Sequence, residues 1–201
     1  MECQNRKELT ELENGLVLRF IEGDADAFVR LAELYKDRIH QFILCILGPD
    51  REAEDIAQDV FIQIYNSLPG FRRESSFATW VYALTRNVCR RKLRDRGRGA
   101  DLFREKGDES GYQLPDTAPS SEADFEREET GRAVRAAVDG LSPLHRSVIF
   151  LSCWEHLSYA EISAALDIPV GTVRSRIHNA MAALAQKLKP VLNPGTEVSG
   201  S

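Results

Sequence analysis

Long apolar runs are missing from these 201 residues: the best, Phe42 to Leu47, is too short to span a bilayer and reads as a fragment of a helix core. The amino-terminal stretch MECQNRKELTELENG lacks the apolar segment of a secretory signal, so a cytoplasmic location is expected. Cysteine is sparse, and Cys3, Cys45, Cys89 and Cys153 are scattered with no CxxC pair, which argues against a zinc finger or a disulfide framework and for reduced thiols. Strand-like alternation and internal repeats are both absent. So are a glycine-rich phosphate loop, a nucleophile elbow and an HExxH pair, so no enzyme, cofactor or metal site is expected. His145, Cys153 and His156 could share one side of the second half, but that spacing is weak, and buried cysteine beside ordinary surface histidine is the preferred reading.

What is there is charge, unevenly placed. The chain is acidic overall, at −5, yet FRRESSFATWVYALTRNVCRRKLRDRGR, from Phe71 to Arg98, carries nine basic residues against two acidic ones and stands at +7. The segments before and after it, 1–70 and 99–130, each stand at −7, and 131–201 at +2. A local reversal of sign interleaved with Phe71, Phe77, Trp80 and Tyr82 suits a surface that meets phosphate and stacks on exposed bases.

Helical spacing of apolar residues dominates, so the fold class is all-α: two small helical domains joined by a flexible linker. Ala27, Phe28, Leu31, Leu34, Tyr35, Ile39, Phe42 and Ile46 mark a first long helix that stops near Gly48-Pro49. A second runs from about Asp50 to Leu68, and a third carries Phe77, Trp80, Val81, Leu84 and Val88. Three such stripes can close one small core. Gly, Pro, Ser and Asp then replace the periodic residues over 97–125, a linker of 29 residues. Val134, Ala137, Val138 and Leu141 restart the pattern, and Ser142-Pro143 supplies an N-cap followed by proline at the first helical position. The expected organisation is a tail over 1–15, a first domain over 16–96, the linker, a second domain over 126–189 and a frayed tail over 190–201.

The second domain holds the clearest motif, LSYAEISAALDIPVGTVRSRIHNAMAAL, from Leu157 to Leu184. Ser158 and Glu161 have capping-box spacing, Asp167-Ile168-Pro169 breaks the short helix, and a longer helix follows with Val173 and Ile177 inward. Short helix, tight turn and longer helix make a helix-turn-helix. The face opposite Val173 presents Gly171, Ser175 and His178, with Asn179 nearby and Arg174 and Arg176 on the flanks. That pattern suits base edges at the centre and phosphates at the sides. The competing account is a structural hairpin with a solvated polar face.

With both halves in view, the chain resembles an extracytoplasmic-function (ECF) sigma factor, the two-domain class of bacterial sigma factors. The likeness runs from about Leu16 to Leu188 and rests on FIEGDADAF, REAEDIAQDVFIQIY, PGFRRESSFATWVYALTRNVCRRKLR and LSYAEISAALDIPVGTVRSRIHNAM. It implies a protein that binds core RNA polymerase, directs it to particular promoters and helps to melt promoter DNA. By that resemblance Glu52, Asp55, Gln58, Asp59 and Ile62 face the polymerase. Arg72, Arg73, Tyr82, Arg86, Asn87, Arg90 and Arg91 read the minus-ten element, and Gly171, Thr172, Arg174, Ser175, Arg176, His178 and Asn179 the minus-thirty-five element. Periodicity places Tyr82, Arg86 and Arg90 away from the apolar stripe, and assigns Phe77 and Trp80 to the core. An anti-sigma factor is the implied regulatory partner, and no homo-oligomer is required. The absence of a long extension beyond about Lys189 argues against a built-in sensor domain.

The linker has a mechanistic consequence. As a free coil it spans roughly 30 Å, against roughly 95 Å fully extended, while two promoter elements two helical turns apart lie roughly 70 Å from each other. It must therefore be held extended on a scaffold, and the isolated protein is expected to bind duplex promoter DNA weakly. The acidic linker could also cover the basic segment in the free protein, although a plain solvated linker is the simpler account. The alternative function is a helix-turn-helix regulator independent of polymerase; such proteins are usually symmetric dimers, and no dimerisation heptad is evident.

Overall fold

A computed structural model describes residues 2–50, 52–96 and 122–192, with side chains over 6–50, 52–96 and 131–189. Most of the 97–125 linker, and with it the idea that its carboxylates cover the basic segment, lies outside the described residues. Those residues form eight α-helices: α1 Glu2–Ile21, α2 Ala25–Leu47, α3 Ala53–Ser67, α4 Phe77–Asp95, α5 Glu122–Asp139, α6 Pro143–Ile149, α7 Tyr159–Leu166 and α8 Val170–Leu192.

Local chemistry sets the boundaries. Asp24 caps α2 by accepting from the Asp26 amide at 3.0 Å, and Gly48, at φ 76°, ends it in a backbone conformation that a side chain would strain. The buried stripe of α2, from Ala27 through Leu31, Tyr35, Ile39 and Phe42 to Ile46, packs on Ile56, Val60 and Ile64 of α3 and on Phe77, Val81 and Val88 of α4. Phe77 is buried and Trp80 is partly so, its ring 5.0 Å from that of Phe71, as the periodicity predicts.

Three differences from the sequence reading matter. The expected tail over 1–15 lies, from Glu2 onward, within α1, which buries Glu13, Leu16 and Val17. The single-stripe reading missed it because its apolar face is short and its buried face includes a carboxylate. The second difference is that α6 continues as one π-helical turn over Phe150–Trp154. Such a wide turn has no apolar signature of its own.

The third difference concerns the core. Val148, Phe150, Leu151, Leu157, Ile162, Ala165 and Val173 of the second half join the same cluster as the stripes of α2, α3 and α4. Phe150 stacks on Phe42 with centroids 5.7 Å apart and meets Tyr82 edge-on at 6.0 Å. At about 1.5–3 kcal/mol for each large apolar side chain removed from water, this shared layer is a strong tie between the halves. A smaller cluster of Leu141, Ile149 and Ala180 holds α6 to α8.

Candidate nucleic-acid and polymerase interfaces

The outward face of α3 stays open. Glu52, Asp55 and Gln58 are exposed, Asp59 is half-buried, and Ile62 keeps 60% of its surface in water. Two of these carboxylates are paired from α4 and its C-cap: Asp59 pairs with Lys92 at 2.7 Å, and Glu52 pairs with the C-cap Arg96, which also holds Asp50 at 2.6 Å. Tyr65, one turn beyond Ile62, is also half in water, its ring 5.2 Å from Phe20 and 5.0 Å from Phe28. An uncovered isoleucine and tyrosine beside carboxylates form a surface with both apolar and acidic character.

On α4 and the loop before it the picture divides. Arg72, Arg73, Asn87, Arg90 and Arg91 are exposed, and Arg73 has a positive φ of 57°. Tyr82 and Arg86 are not: the tyrosine is fully buried among Phe42 and Phe150, and Arg86 keeps only 6% of its surface. The expectation that both point away from the core is thus corrected. The second face of α4 carries Ala78, Thr85 and Cys89, residues small enough for α7 to lie against it, and one-helix periodicity cannot register such a neighbour. Burial pushes the Tyr82 phenol well above its ordinary pKa. Arg86 Nη2 donates to Oδ1 of Asn87 at 3.0 Å, which orients that exposed amide.

The helix-turn-helix forms as the sequence reads. Ser158 and Glu161 make both bonds of a capping box, Asp167 turns the chain in the left-handed region at φ 52°, and α8 begins at Val170. Gly171, Arg174, Ser175, His178 and Asn179 are exposed on α8, and Thr172 is half-buried. Arg176 differs: it keeps 8% of its surface and turns toward α4. Cys153, expected to be buried, is exposed on the wide turn, as is His156, and His145 is half-buried; burial instead lifts the Cys45 and Cys89 thiols to about 12. No cluster of three metal-ligating side chains occurs among the described residues.

Polar ties also join the halves, and sequence reasoning missed them because their members are far apart in the chain. Arg38 of α2 donates to the buried Glu155 carboxylate, its Nε at 3.0 Å from Oε2, and lies 3.6 Å from Glu13 of α1. Tyr35 donates to Glu13 at 2.6 Å, and the Arg38 guanidinium sits 4.3 Å over the Tyr35 ring. Burial raises the Glu13 pKa; the Tyr35 hydrogen bond and the Arg38 charge work against that rise. Arg6 of α1 donates to the Glu155 carbonyl at 2.8 Å, to the His156 carbonyl and to Glu161 at 3.0 Å. Arg146 of α6 reaches back to the Cys45 carbonyl at 3.1 Å.

Two family descriptions match the chain: "Sigma-70 region 2" over residues 31–99 and "Sigma-70, region 4" over 131–184. Among curated relatives, the ECF RNA polymerase sigma factor SigW of Bacillus subtilis is 34% identical, covering 84% of this chain and 92% of its own. The RNA polymerase sigma-H factor of Pseudomonas aeruginosa is 35% identical, covering 90% and 96%. The ECF RNA polymerase sigma-E factor of Escherichia coli K12 is 33% identical, covering 88% and 94%. Among solved structures, CnrH in complex with the cytosolic domain of CnrY shares the fold at a TM-score of 0.60 and 23% identity, covering 89% of this chain and 97% of that one.

Proposed function

The chain belongs to the ECF class of the sigma-70 family of RNA polymerase sigma factors, and from that premise we propose how its surfaces divide the work of starting transcription. The family match and full-length relatives support a factor that binds core polymerase, confers promoter specificity and promotes melting. The observation that carries the polymerase assignment is the face of α3, where Ile62 stands uncovered beside Asp55 and Gln58. A polymerase-independent regulator has no use for such a face on a domain distinct from its helix-turn-helix.

Arg72, Arg73, Arg90 and Arg91 are exposed cations around α4, and they hold the phosphates of the melted strand. Asn87, oriented by Arg86, offers its amide to the edge of an unstacked base. No bond is made or broken; capture of the base stabilises the open strand. On α8, Gly171, Ser175, His178 and Asn179 face the base edges of the upstream element, and Thr172 and Arg174 hold the backbone beside them.

The arrangement of the free chain supports a further step. With the second half packed on the first, Arg86 and Arg176 are covered and Tyr82 lies under Phe150, so they meet DNA only after the halves part. Polymerase binding supplies the scaffold that keeps them apart, and an anti-sigma factor fits as the agent that keeps the covered form; a solved sigma factor of similar fold, RpoE of Bartonella quintana, was co-crystallised with the anti-sigma factor NepR. The first test is transcription from a promoter library with purified core polymerase. Transcripts that start at a shared pair of sequences only when this protein is added support the reading, and tight duplex binding without initiation removes it.

A further inference from the structure

One face of α1 reaches both halves of the chain. In its later turns Glu13, Leu16 and Val17 are buried, and the Glu13 carboxylate accepts from Tyr35 of α2 at 2.6 Å and lies 3.6 Å from Arg38. Arg19, in the last turn, pairs with Asp24 of the loop before α2. These residues fix the end of α1 to the first half. Arg6 stands seven residues before Glu13, two turns back on the same side of the helix. Its guanidinium bonds to the second half: Nη1 donates to the carbonyl of Glu155 at 2.8 Å and to that of His156, and Nη2 donates to Glu161 Oε1 at 3.0 Å.

Those acceptors suit a cation. The two carbonyls follow the wide turn Phe150–Trp154, and a helix end leaves carbonyls without intrahelical donors while its dipole favours positive charge. Glu161 brings a full negative charge, and it also accepts from Ser76, the N-cap of α4, at 2.9 Å. One guanidinium therefore stands where α1, the end of the wide turn, and the starts of α7 and α4 meet.

We propose that the first turns of α1 are a strap: Arg6 fastens the helix-turn-helix half over α4, and releasing that one side chain shifts the molecule toward an open arrangement. The strap is distinct from the shared core. Burial of Phe150 and Leu151 is non-directional, whereas three bonds to one guanidinium require a single placement of the wide turn and α7 against α1. On the sigma-factor reading above the strap is autoinhibitory, because the arrangement it holds covers Arg86. The strap itself does not rest on that reading.

The test reads opening with neither DNA nor polymerase present. Cys89 is fully buried and shares its side of α4 with Tyr82, on which Phe150 of the second half packs. Its alkylation by iodoacetamide in the full chain, followed by mass spectrometry with the exposed Cys153 as internal reference, tracks the open population. Arg6→Ala is expected to raise the Cys89 rate about tenfold, as loss of bonds to a charged group does. Arg19→Ala, on the same helix but paired within the first half, leaves the rate unchanged. Hydrogen exchange in α3, whose packing lies within the first half, stays at the parental rate in both variants and so tells opening from unfolding. An unchanged Cys89 rate in R6A, an equal rise in R19A, or a rise matched by faster exchange in α3 overturns the strap. Single-stranded minus-ten DNA separates the two readings: if R6A uncovers Cys89 yet binds that DNA no more tightly than the parent, the autoinhibitory role falls and the strap stands.

Discussion

Ser76, the N-cap of α4, donates its hydroxyl to Glu161 Oε1 at 2.9 Å, and Glu161 is itself the capping-box carboxylate of α7. The same oxygen accepts from Arg6 at 3.0 Å, while Oε2 accepts from the Ser158 amide at 2.9 Å and hydroxyl at 2.8 Å. One side chain therefore starts a helix of the second half, touches the start of a helix of the first and receives the amino-terminal helix. Glu161→Ala is expected to cost about 2 kcal/mol in denaturant unfolding, the sum of a lost cap and lost charge-assisted bonds.

That carboxylate also gives a pH dependence of definite sign. Burial alone raises its pKa, but the bonds from Ser158 and Ser76 and the charge of Arg6 outweigh it, so the folded value lies below the unfolded one. Its contribution is complete above the unfolded glutamate value and disappears as pH falls through the depressed folded value. Unfolding midpoints from pH 7 to pH 3 should therefore fall less steeply for Glu161→Gln than for the parent chain.

Removing Glu155 strands a half-buried guanidinium. Glu155→Ala leaves Arg38 beside Glu13 alone and is expected to destabilise the chain by about 3 kcal/mol, whereas the paired change R38M with E155L recovers much of that loss. The double-mutant cycle, measured by chemical denaturation, reports the coupling. Loosening this tie also uncovers α4, so the Glu155→Ala chain should bind single-stranded minus-ten DNA several-fold more tightly than the parent at equal salt.

Charge reversal at Asp55 together with Ile62→Ala should abolish capture by core polymerase while leaving the fold intact, because both side chains are exposed. Retention of polymerase binding measured by co-purification would move the interface elsewhere.

Asn87→Ala should reduce open-complex formation about tenfold or more at a fixed polymerase concentration, with little change in duplex capture. The lost amide acts only on an unstacked base, and a good pair of hydrogen bonds to a base edge is worth about 1–3 kcal/mol. Ser175→Ala and His178→Ala should instead shift which upstream sequences are used, read from the transcripts of a randomised promoter set.

Much of this was legible in residue order. The stripes of α2, α3 and α4, the Ser158–Glu161 box and the turn at Asp167 all follow from local rules that need only a few neighbouring residues. Tyr82 and Arg86 defeated the same rules, because part of what covers them lies far along the chain: Phe150 of the wide turn packs on Tyr82, and Asp167 at the end of α7 reaches Arg86. Arg6 and Glu155 were invisible for the same reason: a charged residue on a helix reads as solvated until its distant partner is known. Arg86, Arg90 and Arg176 were each noticed as candidates for DNA contact, but only the folded chain shows that they line one cavity between α4 and α8.

Phe150 belongs by sequence to the second half and by packing to the aromatic layer of the first. A chain that opens to meet DNA pulls that ring, together with Phe42 and Tyr82, into water until some other surface takes their place. An opened molecule that misses its polymerase is therefore sticky and easily cut, a natural substrate for chaperones and proteases. On the proposed opening, the shared core would act as a timer on activity, the working form lasting only as long as something else covers it.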